Sequence, residues 1–208
     1  PFVPTPDAEY EKLLTTGASL PTDDKNEAIV EIKNLYRLLI DNGEDVENLP
    51  DLHSISERDL EQLSIKLEND WLHVMEKKFA AKQVDEWEDI VSYLRDLQKP
   101  RTSKLIPSGE APVYFEWIIW RAFLAINDLR NRPWEARRFT VDRSFLPVRH
   151  APGGGPDMIF EFDDFVLVTE VTLTSSSRQE AAEGEPVRRH VAEYVDEYIE
   201  KGKRVFGL

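Results

Sequence analysis

Residues 157–173 read DMIFEFDDFVLVTEVTL, a pattern that leaves few alternatives to a β-hairpin. Two runs rich in β-branched and aromatic residues flank the polar pair Asp163-Asp164, which is typical of two antiparallel strands joined by a short turn. If the residues that flank the turn pair with each other, the register sets Asp157 opposite Glu170 on one face. Directly opposed residues have Cβ atoms about 4.5–5.5 Å apart. The sequence therefore predicts two neighbouring carboxylates.

The apolar residues around this acidic pair indicate that a proton or a cation is needed to stabilise it. Apart from Glu170, the second strand is apolar on both faces, as expected for a strand inside a sheet. Two carboxylates at such a place repel each other unless they share a proton or a cation. Mg²⁺ takes a few carboxylate oxygens and keeps its other positions for water and phosphate. A magnesium site beside the glycine-rich loop 151–156 is one interpretation, and a carboxyl pair at a solvated sheet end is the other.

The first half of the chain is predicted to be helical. From Asp7 to about Lys99 the apolar residues follow the 3.6-residue period of a helix. A first helix should end at Asn42-Gly43, Ser56 can cap a second, and a third should stop near Pro100. We expect residues 1–100 to form an all-α region for spacing or docking. The histidines of this region are isolated and are expected to be ordinary surface or core residues.

The second half follows a linker. Residues 101–111 mix Pro, Gly, Ser and basic residues, and we expect the domain boundary there. A strongly apolar helix then begins near Pro112 and carries Glu116. That glutamate is either a first-turn residue favoured by the helix dipole or a carboxylate pointed into a site.

The C-terminal elements complete the predicted domain, residues 112–208. A last helix from about Pro186 to Lys201 should pack on the sheet, and Lys203–Leu208 has the pattern of another strand. We expect the domain to be truncated inside its fold. The fold class is therefore α/β, preceded by the all-α region.

Composition narrows the class of protein. The chain has 208 residues, no cysteine and a formal net charge of −14. The lack of cysteine excludes disulfide frameworks, thiolate zinc sites and cysteine nucleophiles, and favours a reducing, cytoplasmic setting. No apolar run is long enough to span a membrane, so we expect no membrane partner.

The charge is unevenly distributed. The acidic excess lies in residues 1–100, while residues 101–150 are basic. This stretch is either an ordinary solvated surface or a phosphate-facing strip beside a carboxylate-rich site. Its arginines include Arg121, Arg130, Arg132, Arg137, Arg138, Arg143 and Arg149.

The order of an acidic helix residue, Pro156-Asp157, a hairpin and Glu170-Val171-Thr172 resembles the PD-(D/E)XK nuclease superfamily. The stretch from YFEW at 114–117 to EGEPVRRHVAEY at 183–194 resembles the AlwI family of type IIS restriction endonucleases and their BstNBI-type nicking relatives. The resemblance covers about residues 110–208. It implies a restriction-endonuclease-like core, a central mixed sheet flanked by helices.

The resemblance also implies roles for individual residues. Those implied to be catalytic are Glu116, Asp157, Glu170 and Glu183. Those implied to bind metal are Asp157, Glu170 and the Val171 carbonyl. Those implied to contact DNA are Arg178, Arg188, Arg189 and His190. Surface ion pairs are an equal alternative for the three arginines. His190 is expected to touch either a phosphate or Glu183, or to be a structural histidine. Thr172 stands where the superfamily has lysine.

The function that follows is Mg²⁺-dependent hydrolysis of phosphodiester bonds in double-stranded DNA, with Mn²⁺ as a substitute. The resemblance implies a type II site-specific deoxyribonuclease, here a type IIS cleavage-domain fragment whose recognition module lies elsewhere. Its cleavage domains are expected to form homodimers or heterodimers. One alternative is a non-catalytic nuclease-like scaffold or helical interaction module. Another is a glycoside hydrolase, disfavoured because the paired carboxylates are too close together.

Overall fold

The structure, a computed structural model, describes residues 25–173 and 177–208, and for residues 177–187 it describes the backbone alone. It is a mixed helix and sheet structure. The helices are α1 (Lys25–Asp41), α2 (Glu57–Lys82), α3 (Trp87–Leu97), α4 (Ala111–Ile126), α5 (Pro133–Ala136) and α6 (Ser177–Ile199), with a 3-10 turn at Pro100–Thr102. The strands are β1 (Thr140–Val141), β2 (Pro147–Arg149), β3 (Met158–Glu161), β4 (Phe165–Thr169) and β5 (Arg204–Gly207). In these stretches, no helix is long and apolar enough to cross a membrane.

The chain divides into two compact units, Pro1–Val74 and Met75–Leu208, and the division falls within α2. This division reflects how the residues pack against one another, and it does not test which residues form the functional domains. The boundary expected at residues 101–111 stays a prediction about domain function.

In the first unit, the apolar stripe predicted for α1 forms a core with residues of α2 and with Leu52 of the connecting segment. The buried residues of this cluster are Ile29, Ile32, Leu35, Leu39, Leu52, Leu60, Leu67 and Val74. The helix ends as predicted before Asn42-Gly43, where Gly43 has a left-handed φ of 79°. The predicted cap of α2 is also confirmed, because the Asp59 amide donates to Ser56 Oγ at 3.2 Å.

In the second unit, α4 lies at the centre of the core. It is apolar on nearly every face, as expected for a helix surrounded by other elements. Trp117, Ile118 and Trp120 are each at most 2% exposed. Phe123 stacks on Phe160 of β3 with ring centroids 4.0 Å apart, which joins the helix to the sheet.

The main sheet has the order β3-β4-β5 and is mixed, because β4 is antiparallel to β3 and parallel to β5. The β3–β4 register pairs Met158 with Thr169 and Glu161 with Val166, which confirms the predicted hairpin alignment. The prediction that the second strand is internal is also confirmed. The strand predicted at Lys203–Leu208 is present as β5.

The outer edge of β3 is covered by the segment between α4 and β1. Asn131 donates from its amide nitrogen to the Ile159 carbonyl at 2.7 Å and accepts from the Glu161 amide at 3.1 Å. Further along, Arg137 forms an isolated antiparallel bridge with Met158. This segment therefore runs beside β3 at the end of the strand that carries Asp157.

The last helix packs on β4 and β5, as predicted, but it begins earlier than Pro186. Proline is favoured in the first helical turn because it lacks an amide donor, which made Pro186 the expected start. The helix instead begins at Ser177 and contains Pro186. The residues that follow β4 therefore enter a helix soon after the sheet ends.

Candidate functional site

Asp157 immediately precedes β3 and Glu170 immediately follows β4, so the hairpin register brings both carboxylates to one end of the sheet. The Asp157 amide donates to the Thr169 carbonyl at 3.0 Å, and the Val171 amide donates to Asp157 Oδ2 at 2.8 Å. The backbone of the hairpin thus fixes the pair in the arrangement predicted from the sequence.

Burial governs the protonation of this pair. It raises the pKa of Asp157, partly offset by the hydrogen bond from Val171. The pKa of Glu170 is raised by burial first, and the negative charge of Asp157 raises it further. Removing a proton from the pair therefore leaves two close anions in a partly dehydrated site. Such a pair favours either a retained proton or a bound cation.

Glu116 is a third carboxylate beside this pair. It lies in the second turn of α4 and is 5% exposed, so it is not the first-turn dipole residue of the alternative interpretation. One oxygen lies 2.7 Å from His150 Nδ1, and the other accepts the Ala151 amide at 3.0 Å. Burial raises the pKa of Glu116, and the charge of Asp157 adds to that effect.

His190 extends from α6 to the same site. It is 5% exposed, and its Nδ1 hydrogen-bonds to Oε1 of Glu170. This hydrogen bond opposes the increase in the pKa of Glu170. His190 therefore contacts the Glu170 carboxylate, a partner that the sequence did not indicate.

Arg138 supplies a positive charge near Asp157. Its backbone amide donates to the Asp157 carbonyl at 3.1 Å, and its Nη1 donates to the Pro156 carbonyl at 3.0 Å. The guanidinium charge lowers the pKa of Asp157, although burial has the larger effect. The sequence placed Arg138 in the basic stretch but did not single it out.

Most described arginines of that stretch have structural partners. Arg121 is 2% exposed and binds Gln83 and the carboxylates of Glu86 and Asp89 at 2.6–3.0 Å. Arg130 pairs with Asp163 at the surface. The basic stretch is thus neither an ordinary solvated surface throughout nor a continuous strip that faces phosphate. Arg138 is the arginine of this stretch that lies beside Asp157.

The other four predicted residues lie on α6. Arg188 and Arg189 are exposed on α6. Arg178 and Glu183 lie on the same helix, but their side chains fall outside the described residues. Thr172, at the position of the motif lysine, is exposed. His150 was not selected from the sequence, because only the fold brings it to Glu116.

The donor set suits a hard divalent cation. Mg²⁺ is commonly held by one or two carboxylates, with water and phosphate completing its coordination. Asp157 and Glu170 provide such a carboxylate pair. Glu116 lies close enough to Asp157 that the negative charge of Asp157 raises the pKa of Glu116. Among the residues whose side chains are described, no group of three or more His, Asp or Glu is arranged as a metal site.

Comparisons with known proteins give two matches. A family model described as AlwI restriction endonuclease matches residues 1–208. Among solved structures, the small subunit of the heterodimeric restriction endonuclease R.BspD6I is 28% identical, with a TM-score of 0.46. That likeness covers 58% of this chain and 56% of that chain, little more than half of each. No curated protein matches the sequence.

Proposed function

The chain belongs to the AlwI restriction endonuclease family, and from this membership we propose that it hydrolyses phosphodiester bonds of double-stranded DNA with Mg²⁺. The observation that supports the proposal best is the convergence of Asp157, Glu170 and Glu116, three carboxylates with raised pKa values, at one end of the sheet. Buried groups with perturbed pKa values concentrate at catalytic sites.

In this proposal, Asp157, Glu170 and the Val171 carbonyl hold Mg²⁺, and Mn²⁺ can replace it. When bound, the ion supplies Lewis-acid polarisation of phosphate oxygens and neutralises their charge. Glu116 and Glu183 are the further catalytic carboxylates. Glu116 is oriented by His150, which keeps one of its oxygens in a fixed direction.

His190 orients Glu170 through their hydrogen bond. This contact limits the rotation of the Glu170 carboxylate. Arg188 and Arg189 are exposed on the helix that carries His190, where arginines can contact the DNA backbone. Arg178 and His190 complete the proposed set of DNA-contacting residues.

The wider enzyme is also part of the proposal. We propose a type II, type IIS cleavage domain at residues 112–208, with a restriction-endonuclease-like core. Residues 1–100 serve in spacing or docking, and residues 101–111 connect the two parts. Sequence recognition belongs to another module, the cleavage domains work as a homodimer or heterodimer, and the protein acts in the cytoplasm.

The direct test is cleavage of duplex DNA by Glu170→Ala. The variant should lose Mg²⁺-dependent cleavage while keeping the circular dichroism spectrum and urea midpoint of the wild-type protein. Glu200→Ala is the matched control, because Glu200 is exposed just beyond the end of α6, ten residues after His190. Full activity of Glu170→Ala would reject the assignment.

A second candidate function is a non-catalytic nuclease-like scaffold, which the threonine at position 172 favours. The motif lysine helps to stabilise charge on phosphate, and threonine carries no charge. Calorimetry with Mn²⁺ separates the two functions. Binding that depends on Asp157 and Glu170 supports the nuclease, and its absence supports the scaffold.

A further inference from the structure

A site that transfers a phosphoryl group needs fixed positive charge directed at the phosphate, since negative charge has to be stabilised there during the reaction. The three carboxylates at the end of the sheet do not supply it. Thr172 does not supply it either, although it occupies the lysine position of the resembled motif. A bound Mg²⁺ would supply part of this charge, and a cationic side chain that reaches Asp157 from another element can supply the rest.

Arg138 reaches Asp157 because of its place in the fold. Arg137 and Arg138 lie on the extended segment beside β3, and consecutive residues of such a segment point to opposite sides. Arg137 points to α2, where it forms two hydrogen bonds with Glu76 at 2.8 and 2.9 Å. Arg138 consequently points to the other side, towards the loop that precedes Asp157.

The glycine-rich loop then determines the position of the Arg138 guanidinium. Nη1 donates to the Pro156 carbonyl, and the guanidinium lies directly against Gly155. A Cβ at residue 155 would be 2.9 Å from Cζ and closer still to Nη1. The guanidinium occupies the space that any other residue at position 155 would fill.

Gly153 provides a comparison within the same loop. A Cβ at residue 153 would meet no atom of the described chain within 4 Å, and neither Gly153 nor Gly155 has a left-handed φ. Alanine at either position is therefore compatible with the backbone. The two substitutions differ in one respect, which is whether the Arg138 side chain has to move.

We propose that Arg138 is a catalytic residue that contacts the scissile phosphate and supplies the positive charge that Thr172 lacks, and that Gly155, having no side chain, leaves the space that the Arg138 guanidinium occupies. This inference rests on the proposed nuclease function. Arginine suits the role, since its planar fork can bind two phosphate oxygens at once. The Pro156 carbonyl is the positioning group, because it holds one nitrogen of the fork beside Asp157.

The test compares five variants of the full chain in duplex DNA cleavage with Mg²⁺: Arg138→Met, Arg138→Lys, Gly155→Ala, Gly153→Ala and the double variant Gly155→Ala with Arg138→Met. Loss of a donor that stabilises the transition state typically costs about 10²–10³-fold in kcat. We expect that loss, with KM nearly unchanged, for Arg138→Met, and a loss of at least about tenfold for Gly155→Ala. Gly153→Ala should match the wild type, and Arg138→Lys should recover part of the rate.

The double variant tests the mechanism. If Gly155→Ala acts by displacing the guanidinium, it should have no further effect once Arg138 is methionine. Equal losses from Gly155→Ala in both backgrounds would overturn the proposal, because the loop itself would then be responsible. The affinity for Mn²⁺, measured by calorimetry, should stay within about twofold of the wild type in Arg138→Met. A fall in affinity that matches the loss of rate would also overturn it.

The two proposals fail separately. If the wild-type chain cleaves no DNA with Mg²⁺ or Mn²⁺, the nuclease function fails and this inference with it. If the wild type cleaves and Arg138→Met is equally active, only the inference fails. Urea midpoints report folding in each case, and Gly155→Ala keeps the arginine, so it remains informative if Arg138→Met does not fold.

Discussion

Replacing Glu170 by glutamine removes one negative charge from the pair and preserves the size of the side chain. The carbonyl oxygen of glutamine can still accept a hydrogen bond from His190, which contacts Glu170 Oε1 in the wild type. The main electrostatic change is thus the loss of repulsion from Asp157. If the site is arranged for catalysis, Glu170→Gln should make the protein more stable and inactive.

The size of the effect follows from the geometry of the hairpin. Opposed residues have Cβ atoms about 5 Å apart, and two unit charges at that distance repel by about 3 kcal/mol at an effective dielectric constant of about 20. The side chain of Glu170 is 24% exposed, so water screens part of this energy. We expect the free energy of unfolding to increase by about 1 kcal/mol at pH 7.5.

The pH dependence distinguishes this mechanism from better packing. Since the folded-state pKa of Glu170 is raised above the ordinary value of 4.5, the wild type loses stability as the pH increases from that value through the raised pKa. Below the ordinary value the carboxyl is protonated in both folded and unfolded states. The advantage of glutamine should therefore vanish near pH 4 and appear fully only above the raised pKa.

The assay is urea unfolding at pH 4, 6 and 7.5, without divalent ions, for the wild type, Glu170→Gln and Glu193→Gln. Glu193 is exposed on α6, so its variant should match the wild type at every pH. Loss of stability in Glu170→Gln at pH 7.5 would refute the reasoning. It would mean that the ionised carboxylate stabilises the fold through His190 by more than it repels Asp157.

Three further predictions concern the metal, the core and the pH profile. Mn²⁺ binding should release protons and become tighter from pH 5.5 to 7.5, because the pKa values of Asp157 and Glu170 are raised. Calorimetry in two buffers of different ionisation enthalpy measures the number of protons released. An affinity independent of pH would contradict this prediction. Arg121→Met should lower the free energy of unfolding by about 2–3 kcal/mol in urea titrations. This is less than the loss of about 3–5 kcal/mol typical of a broken buried ion pair, because the side chains of its partners Glu86 and Asp89 are 42% and 51% exposed. A change below about 0.5 kcal/mol would show that these ion pairs contribute little to stability. His190→Ala should move the acidic limb of the pH–rate profile for cleavage to higher pH, because the hydrogen bond that lowers the pKa of Glu170 is lost. An unchanged limb would show that another group determines its position.

Several features of the fold could be predicted because they depend on residues close in sequence. The end of α1 at Asn42-Gly43 and the cap at Ser56 are local events, decided within one helical turn. The start of α6 was predicted wrongly, since Pro186 has the local chemistry of a helix start, yet the helix already begins at Ser177. Local signals of that kind rank possible boundaries but do not exclude a longer helix.

The arginines of the basic stretch show where such reasoning ends. In the sequence, Arg121 and Arg138 are equivalent members of one charged segment. In the structure, Arg121 is buried among Gln83, Glu86 and Asp89, while Arg138 lies beside Asp157. No spacing rule separates them, because their partners are distant in sequence and come together only when helices and sheet pack.

The amino-acid sequence alone determined that Asp157 and Glu170 face each other. Side chains of a strand alternate with a period of two, and a short turn leaves one alignment that keeps the apolar faces matched. The tertiary structure alone decided which groups control those carboxylates, namely His150 on Glu116, His190 on Glu170 and Arg138 beside Asp157. These contacts join residues from separate elements, and their distances are set by the packing of the core rather than by the order of residues in the chain.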